Sequence, residues 1–326
     1  MQKANKPLIS YITTFLEYLE VEKGLAVLSV KNYDRFINKF RIWLDKNYPG
    51  LKPHNLTPDI IYQFRLYLSR QGVNITTKQS LKKSTQNYYL IALRNFLAYL
   101  IEKDIETLPP GKVKLAKDNM RERVVKFLNL EQLERLLLSP KIEEISGLRD
   151  KAIMETLFST GLRVAELVNL NRDQFNLKII KNPNYDSLEL AIVGKGSHPR
   201  PIYFSRRCLD WIIRYLEARK DMERPLFINH RNFKNDKSDH RLTTRSIENI
   251  LTKYSKIAGL PFIATPHTLR HTYATDLLNQ GADLRIVQEF LGHKNIMTTQ
   301  IYTHVTNKRL KDLHQKFHSG KNLKND

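Results

Sequence analysis

Residues 265–304 read TPHTLRHTYATDLLNQGADLRIVQEFLGHKNIMTTQIYTH. The opening Thr-Pro pair is a typical helix start, because a threonine side chain can cap the first backbone N–H groups and proline is tolerated in the first turn. The apolar spacing that follows predicts helices over about 267–280 and 283–291. His267 and Arg270, three residues apart, would project from one face near the start of the first helix. The stretch therefore predicts a helical fold that presents a histidine and an arginine together.

More helices and one pair of strands are predicted around this stretch. Two apolar runs, 188–193 and 200–204, flank a Gly-Lys-Gly turn and are typical of strands joined by a loop. Residues 306–317 carry apolar side chains at helical spacing. Further helices are predicted at about 130–138, 147–159, 163–169, 207–220 and 245–258. This part of the chain should be mainly helical with a small antiparallel sheet.

Residues 1–104 are predicted to form four helices and no strands. An apolar stripe between Leu8 and Leu19 marks the first helix. The other three are marked by residue types that favour helix ends. Their predicted limits are Ser29 as N-cap and a stop before Pro49 for the second, Thr57 with Pro58 for the third, and Ser84 for the fourth.

The apolar periodicity lapses between Ile105 and Val125. Here Leu-Pro-Pro-Gly is followed by a lysine-rich run, a composition typical of an extended basic linker. The chain is therefore predicted to consist of an N-terminal domain over 1–104, a linker over 105–122 and a second domain over 123–326.

A large positive charge points to a polyanionic partner. The chain carries 54 Lys and Arg against 33 Asp and Glu, a net charge of +21. Residues 1–104 hold 16 of the basic and 8 of the acidic residues, so both predicted domains are basic. A nucleic acid held between them would account for this distribution, although solvated basic faces or anionic lipid are alternatives. No apolar run approaches the ~18 residues of a spanning helix, which makes a membrane the weaker partner.

Cys208 is the only cysteine, which excludes an intrachain disulfide and a thiolate metal cluster. Its neighbours have helical apolar spacing, so a small buried residue is expected. The N-terminal residues lack the apolar segment of a secretory signal. A cytoplasmic location is therefore expected.

Four short segments hold groups that bind phosphate or transfer protons. They read TGLRVAEL at 160–167, VGKGS at 193–197, HTLRH at 267–271, and LGH through TTQIYTH at 291–304. In this order and at these spacings they resemble the tyrosine recombinase, or phage integrase, family, and the last segment is most similar to Xer-type members. The resemblance implies a mainly α fold. Its parts would be an N-terminal SAM-like, core-binding helical bundle and a mixed α+β catalytic domain with a small antiparallel sheet and a C-terminal exchange helix.

The resemblance also implies a catalytic set for phosphoryl transfer. Tyr302 would attack the phosphorus, and Lys195 would protonate the departing 5′ oxygen. Because a phenol with a pKa near ~10 is a poor nucleophile at neutral pH, arginines would have to stabilise the phenolate as it forms. The set is Arg163, Lys195, His267, Arg270, His293 and Tyr302.

Several of these residues have a plainer interpretation when taken alone. Arg163 could form an ion pair with Glu166 or Asp173, and a lysine in a turn is usually just solvated. His267 and His271 are four residues apart, as in zinc-binding helices, but the glutamate of that motif is missing. His271 is therefore expected to pack beside the site or support it.

The implied activity is site-specific DNA recombination through a covalent 3′-phosphotyrosine intermediate, with no metal ion, ATP or other cofactor. The implied partners are double-stranded DNA with paired recombination sites and further chains in a homotetramer or heterotetramer. An accessory protein stays open, no membrane is expected, and the location would be the cytoplasm at the nucleoid. The role would be chromosome dimer resolution or integration and excision of a mobile element. The alternatives are a type IB topoisomerase, which shares this chemistry, and a DNA-binding protein without catalysis.

Overall fold

Helices form most of the chain in the computed structural model. The chain divides into two units, Met1–Arg123 and Val124–Asp326. The described residues confirm the predicted mainly α fold with one small sheet, whereas the helix predicted over 306–317 lies outside them. The structure describes residues 1–70, 80–116, 126–193, 199–230 and 240–292.

The described part of the N-terminal unit contains the four predicted helices. Short 3-10 helices precede α1 and α3 and follow α4. The helices are α1 (Ile12–Val21), α2 (Val27–Asn47), α3 (Pro58–Arg70) and α4 (Lys83–Glu102). The 3-10 helices are Leu8–Tyr11, Pro53–Asn55 and Pro110–Lys112.

The starts of α2 and α3 differ in how well the local sequence predicts them. α3 begins at Pro58 as predicted, and the Thr57 hydroxyl accepts a hydrogen bond of 3.3 Å from a backbone N–H of the first turn. The prediction of Ser29 as the N-cap of α2 is wrong. The helix begins at Val27, because the Ala26 carbonyl already accepts a hydrogen bond of 2.7 Å from the Ser29 N–H.

Aromatic rings occupy the centre of the N-terminal unit. Phe15, Phe40, Phe64 and Phe96 are all fully buried. The rings of Phe40 and Phe64 meet edge to face with their centroids 5.0 Å apart. Aromatic rings favour this arrangement because a positive edge then faces a negative ring surface.

Part of the predicted linker packs on this core. Leu108 and Val113 are buried in it, and the Arg94 side chain donates from Nε to the Val113 carbonyl at 2.7 Å. These contacts hold the chain after residue 104 against the N-terminal helices. The domain limits of 1–104, 105–122 and 123–326 stay a prediction.

The described part of the second unit contains seven of the predicted helices and, in addition, a short helix that the sequence did not predict. The predicted helices are α5 (Leu130–Leu138), α6 (Ile145–Thr160), α7 (Val164–Val168), α9 (Arg206–Ala218), α10 (Thr244–Ile257), α11 (Pro266–Gln280) and α12 (Leu284–Leu291). The additional one is α8 (Leu177–Ile180), and a 3-10 turn at Arg172–Gln174 precedes it.

One antiparallel pair of strands, β1 (Ser187–Val193) and β2 (Pro199–Ser205), confirms the predicted sheet. Along β2, buried and exposed residues alternate, as expected for a strand with one face on the core. Ile202 and Phe204 are buried on this face, and so is Arg200, which lies opposite Ile192. The sheet therefore carries one charged side chain on its inner face.

Helix α6 lies at the centre of the second unit and contacts α9, α11 and β2. Residues of all its faces are buried, including Glu155, whose side chain is 2% exposed. Glu155 Oε1 lies 2.8 Å from Nζ of Lys151, which is 3% exposed, and 2.9 Å from a nitrogen of Arg207, which is 63% exposed. Burial lowers the pKa of Lys151, and the hydrogen bond that Lys151 donates to Glu155 opposes this effect. The Glu155 carboxylate thus neutralises the charge of a lysine that is buried away from water.

Cys208 is fully buried, as expected, and burial raises the pKa of its thiol to about 12. No helix in the described ranges is both long and apolar enough to span a membrane.

Removal of the Glu155 charge should destabilise the fold strongly. The Glu155→Gln variant leaves the Lys151 ammonium buried without its counter-charge, which typically costs about 3–5 kcal/mol. The Arg207→Gln variant removes an exposed partner of the same carboxylate and should cost about 1 kcal/mol or less. Urea denaturation of the two variants tests this difference, and equal losses would contradict the assigned role of Glu155 as the counter-charge of the buried Lys151.

Candidate active site

The start of α11 is held by a reciprocal cap. The Thr265 hydroxyl accepts a hydrogen bond from the Thr268 N–H, and the Thr268 hydroxyl accepts one from the Thr265 N–H, both at 3.1 Å. His267 on the first turn is exposed, whereas Arg270 on the second turn is buried. The two predicted site residues therefore share a helix end but not an environment.

The Arg270 side chain joins α11 to the ends of two other helices. Its guanidinium donates to the carbonyl of Gly161, which ends α6, and to the carbonyl of Leu291, the last residue of α12. Both acceptors are backbone groups that a helix end leaves without an intrahelical partner. Arg270 thus orients the C-terminal ends of α6 and α12.

Arg163 is the N-cap residue of α7, the helix start that the sequence predicted. Its backbone N–H and its side chain both donate to the carboxylate of Glu166, at 2.8 and 2.9 Å. A second guanidinium nitrogen donates to the Gly292 carbonyl at 3.1 Å. The ion pair with Glu166 considered from the sequence is therefore present, while Asp173 pairs with Arg224 instead. About a third of the Arg163 side chain, 32%, is exposed.

Arg200 is a third arginine that contacts the end of α12, and it was not predicted from the sequence. Its guanidinium donates to both oxygens of Glu166, at 2.9 and 3.3 Å, and from Nε to the Phe290 carbonyl at 3.3 Å. The available signal was its position in β2, where an arginine alternates with buried Ile202 and Phe204. A charge at an inward position of a strand requires a partner, because an unpaired buried charge is costly.

The three arginines converge on consecutive carbonyls at the end of α12. Arg200 binds the carbonyl of residue 290, Arg270 that of 291 and Arg163 that of 292. Helix ends of this kind carry a partial negative charge. The Glu166 carboxylate adds a full negative charge, which pairs with both Arg163 and Arg200. The site can attract a phosphate group and offer it planar donor forks.

Gly292 makes this arrangement possible at the backbone. It ends α12 with φ of 60°, the left-handed conformation that favours glycine. A Cβ atom at this residue would lie 2.7 Å from Cδ of Arg200. The close approach of Arg200 therefore requires the absence of a side chain at residue 292.

The described residues include half of the predicted catalytic set. Arg163 and Arg270 meet at the end of α12, and His267 lies on the neighbouring first turn of α11. Lys195, His293 and Tyr302 lie outside the described residues. In the sequence, His293 directly follows Gly292, and Tyr302 follows ten residues after that glycine.

His271 lies beside this group in a half-buried position. Burial lowers the pKa of its imidazole to about 4, and the neighbouring His267 and Arg270 side chains lower it further. The ring is therefore neutral at pH 7. In the part of the chain that the structure describes, no three His, Cys, Asp or Glu side chains could together hold a metal ion.

A methyl group at Gly161 should destabilise the protein more than one at Gly259. Both residues have φ near +60°, so alanine pays the same backbone strain at each. Only at Gly161 would the new Cβ meet a ring, at 2.5 Å from Cδ1 of Tyr273. Overpacking of this kind typically costs about 1–3 kcal/mol. Urea denaturation of Gly161→Ala and Gly259→Ala measures the difference, and equal destabilisation would mean that the ring does not confine residue 161.

The His271 imidazole should make the fold sensitive to mild acid. The unfolded chain takes up this proton near pH 6.5 and the folded chain only near pH 4. The stabilisation is thus complete above pH 6.5 and is lost as the pH falls towards 4. The His271→Gln variant should lose less stability than the wild type between pH 7 and 4.5. Thermal unfolding at several pH values measures how the stability depends on pH. The same dependence in the variant and the wild type would contradict the lowered pKa of His271.

Comparison with known proteins places the chain among recombinases. The profile of the Phage integrase family matches residues 126–309, and that of the "Phage integrase, N-terminal SAM-like domain" matches residues 12–104. The chain is 36% identical over 308 residues to tyrosine recombinase XerD of Listeria innocua, covering 94% of this chain and 98% of that one. It is 32% identical over 317 residues to tyrosine recombinase XerC of Thermodesulfovibrio yellowstonii, covering 94% and 96%.

Solved structures agree with this fold. XerH recombinase bound to a palindromic difH substrate superposes with a TM-score of 0.71 at 21% identity, covering 95% of this chain and 97% of that one. A lambda integrase dimer bound to a core site superposes with a TM-score of 0.65 at 15% identity, covering 90% and 94%. The sequence relatives are recombinases, and the alternative of a type IB topoisomerase is not supported. The chain therefore belongs to the phage integrase family and is a site-specific DNA recombinase of the tyrosine type.

Proposed function

We propose that the chain cuts and rejoins DNA with Tyr302 as the nucleophile and with Arg163 and Arg270 as the clamps of the scissile phosphate. The observation that carries this proposal is the convergence of both arginines on the end of α12. The chain continues from this end to His293 and Tyr302. The proposed nucleophile is therefore tethered within ten residues of the cationic group.

The proposed reaction is an exchange of one phosphodiester for another. The Tyr302 phenolate oxygen forms a bond to phosphorus while the bond from phosphorus to the 5′ oxygen breaks. The products are a 3′-phosphotyrosine and a 5′-hydroxyl, whose proton comes from Lys195 acting as general acid. The reverse attack by a 5′-hydroxyl of a second strand rejoins the DNA and releases the tyrosine. Because the energy of the broken phosphodiester bond is kept in the phosphotyrosine bond, the proposed reaction needs no ATP.

The arginines are suited to the transition state of this reaction. Backbone carbonyls and Glu166 hold their guanidinium groups in place before DNA binds, so little reorganisation is needed when charge develops on the phosphate oxygens. The partial exposure of Arg163 leaves it accessible to a substrate. His267, and His293 beyond the described residues, are proposed to donate hydrogen bonds to the same phosphate.

Double-stranded DNA with paired recombination sites is the proposed substrate. The net charge of +21 and the basic excess in the N-terminal residues fit a polyanion. The XerH and lambda integrase structures of the same fold hold DNA. The similarity to XerD and XerC over 94% of the chain favours chromosome dimer resolution at the nucleoid over integration of a mobile element.

The proposed assembly is a tetramer of this chain, or of this chain with a related one. Residues 305–317 predict a short helix with Leu310, Leu313 and Phe317 on one side. An isolated helix of this length is marginal in water and must dock on something. We propose that it docks on a neighbouring protomer, which would couple each Tyr302 to the state of assembly.

Loss of the Tyr302 hydroxyl should abolish DNA cleavage and leave DNA binding unchanged. The Tyr302→Phe variant keeps the ring but has no oxygen to attack phosphorus. With a nicked suicide substrate, denaturing gels should show a covalent protein–DNA adduct for the wild type and none for the variant. The Tyr185→Phe variant, which loses the same hydroxyl elsewhere in the second unit, should form the adduct normally.

A persistent adduct in Tyr302→Phe would assign the nucleophile to another residue. The same assay with EDTA tests the metal-free mechanism, since an EDTA-sensitive reaction would contradict it.

A further inference from the structure

Arg200 connects three parts of the second unit through one guanidinium group. The residue lies on β2, and its partners are Glu166 on α7 and the Phe290 carbonyl on α12. Glu166 in turn holds both the backbone and the side chain of Arg163. The three side chains of Arg163, Glu166 and Arg200 are called the Glu166 cluster here.

The geometry of the Glu166 cluster makes the position of Arg163 depend on Arg200. One carboxylate is shared, because Oε1 and Oε2 each accept hydrogen bonds from both arginines. The Glu166 side chain is 9% exposed, so water offers little alternative. If Arg200 were absent, the carboxylate would lose two of its four donors and could turn towards Arg163 alone.

The contact with α12 relates the Glu166 cluster to the proposed nucleophile. Arg200 holds the carbonyl of residue 290, and Arg163 holds that of residue 292, two residues further along the chain. The Arg200 side chain packs so closely on Gly292 that a Cβ atom at residue 292 would not fit. Arg200 therefore restrains both the clamp and the start of the segment that leads to Tyr302.

Burial makes these contacts strong and selective for an arginine. Arg200 is almost fully buried. Burial lowers the pKa of Arg200, Glu166 opposes this effect and the positive charge of Arg163 adds to it. A lysine could carry the charge but not the planar fork that reaches two oxygens of Glu166 and one carbonyl at once.

We infer that Arg200 is a positioning residue for DNA cleavage, which acts by holding Arg163 through the shared Glu166 carboxylate, while the contact with the Phe290 carbonyl keeps the Arg200 guanidinium in place. This inference rests on the proposed function, because it assigns Arg163 to the scissile phosphate. In the sequence, Arg200 follows Lys195, the proposed acid, by five residues.

The test compares Arg200→Lys and Arg200→Gln with Arg207→Gln, which removes an exposed arginine of the same unit. The cleavage rate is measured in single turnovers with saturating protein on a nicked suicide substrate, well below the unfolding temperature of each variant. A displacement of about 1 Å can cost about 10²-fold in rate, so both Arg200 variants should cleave about 10–10²-fold more slowly than the wild type. Their DNA affinity should stay near that of the wild type, and Arg207→Gln should cleave normally.

A cycle with Arg163→Ala separates positioning from a general structural role. If Arg200 acts through Arg163, then Arg200→Lys should slow the Arg163→Ala variant far less than it slows the wild type. Equal slowing in both backgrounds, a normal rate in Arg200→Lys, or a parallel loss of DNA affinity would overturn the inference. Circular dichroism melting checks folding, and Arg200→Lys keeps the test possible if Arg200→Gln does not fold.

The result also distinguishes this inference from the proposed function. A wild-type cleavage rate in Arg163→Ala would contradict the assignment of the phosphate clamp itself. A slow Arg163→Ala with a normal Arg200→Lys would leave that assignment intact and reject Arg200 alone.

Discussion

The carbonyl groups at the C-terminal end of α12 are the constraint on which the site depends. A helix leaves its last carbonyls without intrahelical donors, and a buried end must find donors elsewhere. Here β2, α11 and the N-cap of α7 each supply an arginine for one of three consecutive carbonyls. The contacts that close the helix therefore also collect two of the predicted catalytic arginines at the residue before His293.

Electrostatics explains why such a group can form in the absence of DNA and still bind a phosphate. The partial negative charge of the helix end and the full charge of Glu166 offset the repulsion among three guanidinium groups. An incoming phosphodiester would meet donors that are already oriented, which is the arrangement that stabilises a transition state most effectively.

The sequence predicted the parts of this structure that depend on local signals. The helix start at Thr265, the strand pair around the Gly-Lys-Gly turn and the helix start at Arg163 all follow from neighbouring residues. Arg200 was missed because its importance comes from partners 34 and 90 residues away. The N-cap prediction for Ser29 failed for a local reason, since the Ala26 carbonyl already accepts a hydrogen bond from the Ser29 N–H and the helix begins before the serine. Roles that depend on tertiary contacts between distant segments could not be read from spacing.

We propose that the chain leaving the arginine-bound end of α12 carries the nucleophile. The most direct test is to trap the wild-type protein on a nicked suicide DNA, digest the adduct with nuclease and trypsin, and locate the residual nucleotide by tandem mass spectrometry. Trypsin should release residues 295–308, in which Tyr302 is the only tyrosine. The phosphonucleotide should lie on Tyr302. A nucleotide on any of the other 14 of the 15 tyrosines, or on a serine, would contradict it.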